Sequence, residues 1–199
     1  DQFPGLTVDR FSDVLSVQIA CLGIERIKDM LYRSLLQVLC EYGVNISAIY
    51  ERNDLAVRSI EGLPQYKGFY EAEGLKKDLS GHVIITENNI KYDVDYINGQ
   101  KTGFFLDQKY NRAAVAKIAK GKTVLDCFTH TGAFALNAAK GGAVSVTAVD
   151  ISHDALECAK NQRNAEKCYK RVQGNKSEGY EAAAEGRISR DMLLLAFHE

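Results

Sequence analysis

The sequence predicts a small α+β domain followed by an α/β domain with parallel strands. Two observations lead there. Residues 1–80 mix short apolar, β-rich runs with one long helical run, whereas from Thr123 onward near-continuous apolar strands alternate with helices. Between them, two β-rich runs are broken by Asn88–Asn89, residues that tolerate the positive φ angles of a tight hairpin turn. A chain of 199 residues accommodates two units of this size.

Along the front, "LTVDR" and "VLSVQIA" alternate around a polar break at Arg10–Asp13 and predict two strands joined by a hairpin. Ile24, Ile27, Met30, Leu31, Leu35, Val38 and Leu39 recur at helical spacing, and Gly43 closes that run. "ISAIYE" from Ile46 returns to strand character, and a further strand is expected near Val57 or Gly68–Ala72. The domain is placed at 1–80, the "HVIITE"/"IKYDVDYI" hairpin junction at 81–100, and the second domain at 101–199.

The second domain opens with "KTGFFLDQ" and a helix over Tyr110–Ala119, with Ala114, Val115, Ile118 and Ala119 on its apolar side. At least one of Phe104 and Phe105 is expected in the core. "TVLDCF" reads as a buried strand, "GAFALNAAK" as a helix stopped by Gly141–Gly142, "VSVTAVD" as a second buried strand and Asp154–Asn164 as a second helix. Such a series pairs its strands in parallel.

Composition excludes several classes. Hydrophobic residues make up 46% and charged residues 26%, and no apolar run approaches a membrane span. Cys21, Cys40, Cys127, Cys158 and Cys168 are odd in number and widely spaced. Neither a disulfide framework nor a metal site is indicated, and a cytoplasmic protein without a membrane partner is expected. The net charge of −1 conceals an asymmetry: residues 1–98 carry 10 Lys and Arg against 15 Asp and Glu, and residues 99–199 carry 15 against 11. A mildly basic rear suits a local electrostatic footprint, though solvated helix faces alone could produce it.

The chemistry concentrates in "VLDCFTHTG", Val124–Gly132. A strand ends at Asp126, turns, reaches Gly132 and enters a helix, the geometry of a ligand crevice at the carboxyl end of a parallel strand. Gly132 lets backbone approach a bound molecule, and a carboxylate at Asp126 suits an ammonium group and repels pyrophosphate. The second strand ends in Asp150, 24 residues on, where a carboxylate can accept hydrogen bonds from ribose hydroxyls. An amino acid at one end and a nucleoside at the other describe S-adenosylmethionine. The alternative is an ordinary βαβ unit in which Asp150 only caps the next helix. A nicotinamide oxidoreductase is disfavoured by Asp126 and by the missing glycine triplet.

"GQKTGFFLDQKYNR", "VLDCFTHTGAFALNAAKGGA" and "VTAVDIS", behind "PGLTVDRFSDVLSVQ" and "IYERNDLAVRSIEGL", resemble the bacterial large-subunit ribosomal RNA cytosine-5 methyltransferases over about Phe3–Asn164. The resemblance implies a Rossmann-like class I methyltransferase domain, partial in this sequence, behind the family's small α+β domain. It implies S-adenosylmethionine as cofactor, ribosomal RNA as partner and a homodimer. By resemblance, Asp126, Phe128, Thr129, Thr131 and Gly132 surround the methionine portion, Asp150 holds the ribose and Ile151 lies against adenine. Phe105, Leu106, Asp107 and Gln108 form the upstream wall, with Arg112 nearby; Lys101 and Arg112 could equally be solvated charges.

After Asn164 the family's third strand with its acidic adenine contact, its Asp-Pro-Pro motif and its cysteine strand are not recognisable, nor is its N-terminal RNA-binding module. "GYEAAAEGRISRDMLLLAFHE" resembles a helix-plus-strand piece from near the family's C-terminus. Missing internal segments after Asn164 are preferred over a truncated product, because two parallel strands alone would leave apolar faces uncovered. Methylating a pyrimidine at carbon-5 needs a thiolate that adds to carbon-6. Cys127 reads as structural, Cys158 and Cys168 have no argument as nucleophile, and no catalytic residue is named. The function expected is an S-adenosylmethionine-dependent RNA methyltransferase; the alternative is a non-catalytic RNA-binding or assembly module that inherited the fold.

Overall fold

The structure, a computed structural model, describes residues 3–165, 172–175 and 192–196. The chain divides into two compact units: residues 1–85 with 94–106, and residues 86–93 with 107–199. The division is not contiguous, as the sequence boundaries had it, because the chain passes through the hairpin twice and residues 101–106 go with the first unit.

In the first unit, β1 (Leu6–Phe11) and β2 (Val14–Ile19) form an antiparallel hairpin turning at Ser12, whose φ is 56°. The 20-residue helix α1 (Leu22–Glu41) then crosses to β3 (Ala48–Asn53), which lies parallel to β2. β4 (Tyr66–Phe69) pairs antiparallel with β3, completing the order β1-β2-β3-β4. Leu15, Val17, Ile19 and Ile49 meet Ile24 and Tyr32 of α1 in one buried cluster. The helix was legible in the sequence, but its buried face differs from the periodic set: Ile27, Met30 and Val38 are exposed, and Tyr32 is buried.

Val57 begins a one-turn helix, α2 (Val57–Ile60), and the fourth strand starts at Tyr66. The cause is tertiary. Arg58 is fully buried and donates to the carbonyls of Ile19 (2.6 Å) and Pro64 (2.8 Å) and to Glu25 (2.9 Å), tying the turn down against local propensity.

β5 (His82–Glu87) and β6 (Ile90–Asp95) form the expected hairpin, and Asn88 and Asn89 have φ of 51° and 57°. In the second unit a single 3₁₀ turn (Leu106–Gln108) leads into α3 (Lys109–Ile118). β7 (Thr123–Cys127), α4 (Ala133–Lys140), β8 (Ser145–Val149) and α5 (His153–Ala165) follow as predicted. β9 (Val172–Asn175) lies parallel beside β8, and β10 (Met192–Ala196) parallel beside β7, giving the order β10-β7-β8-β9. The strand of the expected C-terminal helix-plus-strand piece is present as β10, and β9 is a strand the sequence did not announce. The helix expected before β10 lies outside the described residues.

β7 is buried on both sides. Val124 packs with Val115, Ala119, Ala135, Ala138 and Ala148, while Leu125 and Cys127 pack with Val149 in a separate cluster. Two covered faces explain why the strand reads as a continuous apolar run. In α3, Ala114 and Ile118 are exposed and Arg112, Val115 and Ala119 are buried. The buried face is turned from the expected one because Arg112 is drawn inward to a carboxylate. Among the described residues no helix is long and apolar enough to cross a membrane.

Candidate functional site

Register brings the two acidic strand ends together. Cys127 of β7 is paired with Val149 of β8, so Phe128 and Asp150 leave the sheet at the same level. The turn that follows β7 is conformationally costly: Phe128 and His130 have φ of 61° and 50°, and Gly132 has φ of 80°. Non-glycine residues adopt such angles rarely, and they persist only where surrounding bonds hold them.

Those bonds come from the two carboxylates. Asp126 is 1% exposed, and its Oδ2 accepts the Thr129 hydroxyl (2.6 Å) and the Ala135 backbone N–H (3.0 Å). Gly132 supplies no side-chain cap to α4, so Asp126 satisfies one of the helix's orphan amides from the preceding strand. Thr129 is itself buried and its N–H donates to Val149 O at 3.0 Å, lacing the turn to β8. Asp150 is half-buried; its Oδ2 accepts the His130 N–H (2.7 Å) and its Oδ1 the Ser152 N–H (2.9 Å).

Removal from water pushes the Asp126 carboxyl up to about 7, against the lowering by its two donors, and the charge of Asp150 adds to the rise. Burial, aided by Asp126, raises the Cys127 thiol as well, which makes it a poor source of thiolate.

The predicted residues fall into distinct groups. Phe128 (41% exposed) and Ile151 (83%) present apolar surface on either side of the paired strand ends. Thr131 is half-buried within the turn. Gly132 also meets a demand of the fold: a Cβ there would lie 3.0 Å from Ala159 Cβ, so glycine permits both the φ and the approach of α5. Ser152, whose Oγ accepts the Ala155 N–H at 3.2 Å, caps α5, so Asp150 is not the helix cap of the alternative reading.

Upstream, Asp107 is exposed and Gln108 half-buried; Gln108 donates to Asp107 (3.2 Å) and accepts from Asn111 (2.8 Å). Phe105 and Leu106 belong to the first unit, where Lys101 Nζ stands 4.8 Å from the Phe105 ring centre and Phe104 is buried. Arg112 is not a solvated charge. It is 2% exposed and bidentate on Glu87, Nε to Oε1 at 2.7 Å and Nη2 to Oε2 at 2.8 Å. The backbone of His130 and the cap Ser152 were missed from sequence; Asp-x-Ser ahead of an apolar run was the available signal for Ser152. Among the described residues no group of His, Cys, Asp and Glu could hold a metal ion.

A parallel sheet with a carboxylate near the carboxyl end of each of two adjacent strands, and a constrained turn between them, has the architecture found in nucleoside-binding α/β proteins. The chain belongs to the S-adenosylmethionine-dependent methyltransferase family, whose model matches residues 65–183. It is 43% identical over 166 residues to ribosomal RNA large subunit methyltransferase I of Pseudoalteromonas translucida, covering 83% of this chain and 39% of that protein. It is 45% identical over 161 residues to the protein of the same name from Shewanella denitrificans, covering 81% and 38%. The chain thus spans about two fifths of the length of these curated relatives. Among known structures, a Streptococcus mutans protein assigned as an S-adenosylmethionine-dependent methyltransferase superposes with a TM-score of 0.75 at 25% identity, over 94% of this chain and 46% of that one. A second structure with the same scores is a protein assigned as a methyltransferase, complexed with SAH.

Proposed function

We propose that this chain carries the cofactor-binding part of an S-adenosylmethionine-dependent methyltransferase acting on large-subunit ribosomal RNA, with cytosine carbon-5 as the target. The observation that carries the reading is the pair of carboxylates at the carboxyl ends of adjacent parallel strands, Asp126 as the penultimate residue of β7 and Asp150 just past β8. Asp126 is spent on shaping the turn, and Asp150 stands at its open side. The relatives named above support the RNA class, and the resemblance of Val124–Gly132 and Gly99–Arg112 supports the target atom.

The residues suit the group. Each oxygen of Asp150 accepts one amide and retains a lone pair, a pattern that fits the two hydroxyls of a ribose. Exposed Ile151 offers an apolar face for a purine, and exposed Phe128 one for the aliphatic chain. Asp126 holds Thr129 and the start of α4, so its part is to shape the turn. Thr131 and Gly132 complete the turn, and Asp107 with Gln108 offers polar groups upstream. The cofactor supplies a methyl group activated on a sulfonium. Arg112 leaves this assignment: its guanidinium is committed to Glu87, and its part is to hold α3. No nucleophile is assigned, since Cys127 is buried in the sheet. The cytoplasm is the compartment this function implies.

Calorimetric titration of the chain with S-adenosylhomocysteine tests the reading. Saturable binding that Asp150→Ala abolishes or strongly weakens is expected; absence of binding by the unaltered chain counts against it.

A further inference from the structure

Between Asp107 and Asp150 the chain carries five lysines, Lys109, Lys117, Lys120, Lys122 and Lys140, and one carboxylate, Asp126. All five lysines are exposed, whereas Asp126 is buried. The other strong cation of the stretch, Arg112, is neutralised inside the fold by Glu87. This stretch therefore shows solvent positive charge and no negative charge.

The lysines share neighbouring ground. Asn88 Nδ2 donates to Lys109 O (3.2 Å), and Lys140 Nζ reaches Asn88 O (3.1 Å) and Asn89 O, so both lysines abut the same hairpin tip. At the other end of α3, Gly121 N–H donates to Gly142 O (2.9 Å) and Val144 N–H to Lys122 O (2.8 Å). Those bonds lay the segment bearing Lys120 and Lys122 beside the end of α4, two residues from Lys140.

An ordinary solvated face in this protein looks different. On α1, Lys28 pairs with Glu25 at 3.2 Å, and on α5, Lys160 pairs with Glu157 at 2.6 Å, the usual spacing of mutually supporting charges. α3 contains no acid at all, and among the described residues Lys109, Lys117, Lys120 and Lys122 pair with none. With a net charge of −1 for the whole chain, this positive surface is local: exposed Asp107 and half-buried Asp150 stand at its sequence limits, and between them no carboxylate is exposed.

Its chemistry selects the occupant. A membrane-surface helix inserts a continuous apolar side, but Val115 and Ala119 of α3 are packed in the core with Val124 and Ala135, and the apolar residues left exposed, Tyr110, Ala114 and Ile118, share their surface with Lys109 and Lys117. A polyanion needs no such face. Tyr110, 79% exposed on the same helix, adds a ring on which an unpaired base can stack. We propose that the outer side of α3, continued through Lys120–Lys122 and Lys140, contacts the sugar–phosphate backbone of RNA. The choice of RNA rests on the function proposed above; the surface is distinct from the turn that faces the cofactor.

The test compares the full chain with Lys117→Ala/Lys120→Ala/Lys122→Ala and with the corresponding triple glutamate variant. Fluorescence anisotropy with a labelled large-subunit ribosomal RNA transcript and with poly(U) gives Kd across a salt series, and calorimetry gives the affinity for S-adenosylhomocysteine. The triple alanine variant is expected to bind RNA at least about tenfold more weakly at low salt. Its slope of log K against log salt should be shallower by about 2–3, since each lost phosphate contact removes roughly 0.7–0.9. S-adenosylhomocysteine affinity is expected to be unchanged. Arg33→Glu/Lys76→Glu/Lys77→Glu, on the first unit, controls for bulk charge. The proposal is overturned if the α3 variants keep the original Kd and slope, if the control weakens binding as much, if the unaltered chain binds no RNA, or if the lysines are required only for anionic phospholipid vesicles. Lysine-dependent RNA binding without any S-adenosylhomocysteine binding would support this surface and defeat the methyl-donor reading.

Discussion

Asp150 and His130 are joined by a 2.7 Å bond from the backbone N–H at the centre of the turn after β7 to the carboxylate that closes β8. One side chain thus fastens the turn and, on the function proposed, faces the ribose. Asp150→Ala removes both roles. Hydrogen bonds to a charged group contribute about 1.5–3 kcal/mol each, and about 1.4 kcal/mol is a factor of ten in affinity. Binding of S-adenosylhomocysteine is expected to weaken by roughly a hundredfold or more. Asp150→Asn keeps one acceptor and should lose less. Calorimetric titration measures both, and equal affinity in all three proteins would remove Asp150 from the site.

Asp126 makes stability depend on pH in a defined direction. Its carboxyl titrates at about 7 in the fold against a reference of 3.8. Between those values the unfolded chain has released a proton that the folded chain keeps, so stability falls as pH rises through this window and levels off above it. Asp126→Asn retains an acceptor for Thr129 and Ala135 and has no proton to lose. Urea unfolding from about pH 5 to about pH 8 should show the original protein losing stability relative to the variant. Parallel curves for the two would contradict the assignment.

What the sequence revealed and what it hid divide along physical lines. The Asn88–Asn89 hairpin, the existence of α1 and the β7-α4-β8 series were legible because turn chemistry and the spacing of apolar residues are local. β9 was not, since four residues reading Val-Gln-Gly-Asn carry little strand signal. β10 finds its partner Thr123–Cys127 across a long stretch of chain, and no local pattern announces that pairing. The carboxylate positions at Asp126 and Asp150 were visible from strand ends. Their division of labour was not, because it depends on which amides the folded turn points at each oxygen.

The buried Arg112–Glu87 pair joins the hairpin tip to α3 within the second unit. Removing one partner leaves the other charge buried without its counterion, which costs about 3–5 kcal/mol. Arg112→Met or Glu87→Gln alone is therefore expected to destabilise by roughly this amount. The double variant should fall well short of the sum, because no uncompensated charge remains. Asn137, which donates to Tyr92 Oη at 2.7 Å, supplies an independent tie between the hairpin and α4 and keeps the unit assembled in the double variant. Urea denaturation of the four proteins reads the coupling; additive losses would show that the pair contributes through packing alone.

Gly132 separates backbone strain from crowding. At φ 80° any Cβ is unfavourable, and here it would also stand 3.0 Å from Ala159 Cβ. Gly132→Ala is expected to cost about 1–3 kcal/mol and to weaken S-adenosylhomocysteine binding by moving the turn away from Asp150. Ala159→Gly opens the space beside the new methyl but leaves φ unchanged, and it brings its own helix-interior penalty of about 1 kcal/mol. If crowding dominates, Gly132→Ala/Ala159→Gly binds more tightly than Gly132→Ala despite that penalty. If the positive φ dominates, the second substitution recovers neither affinity nor stability. The held angles at Phe128, His130 and Gly132 favour the second outcome, because the Asp126 and Asp150 bonds fix all three together and a single relaxed contact does not release them. Urea unfolding and calorimetry on the three variants decide it, and full recovery in the double variant would place the demand for glycine in the α5 contact.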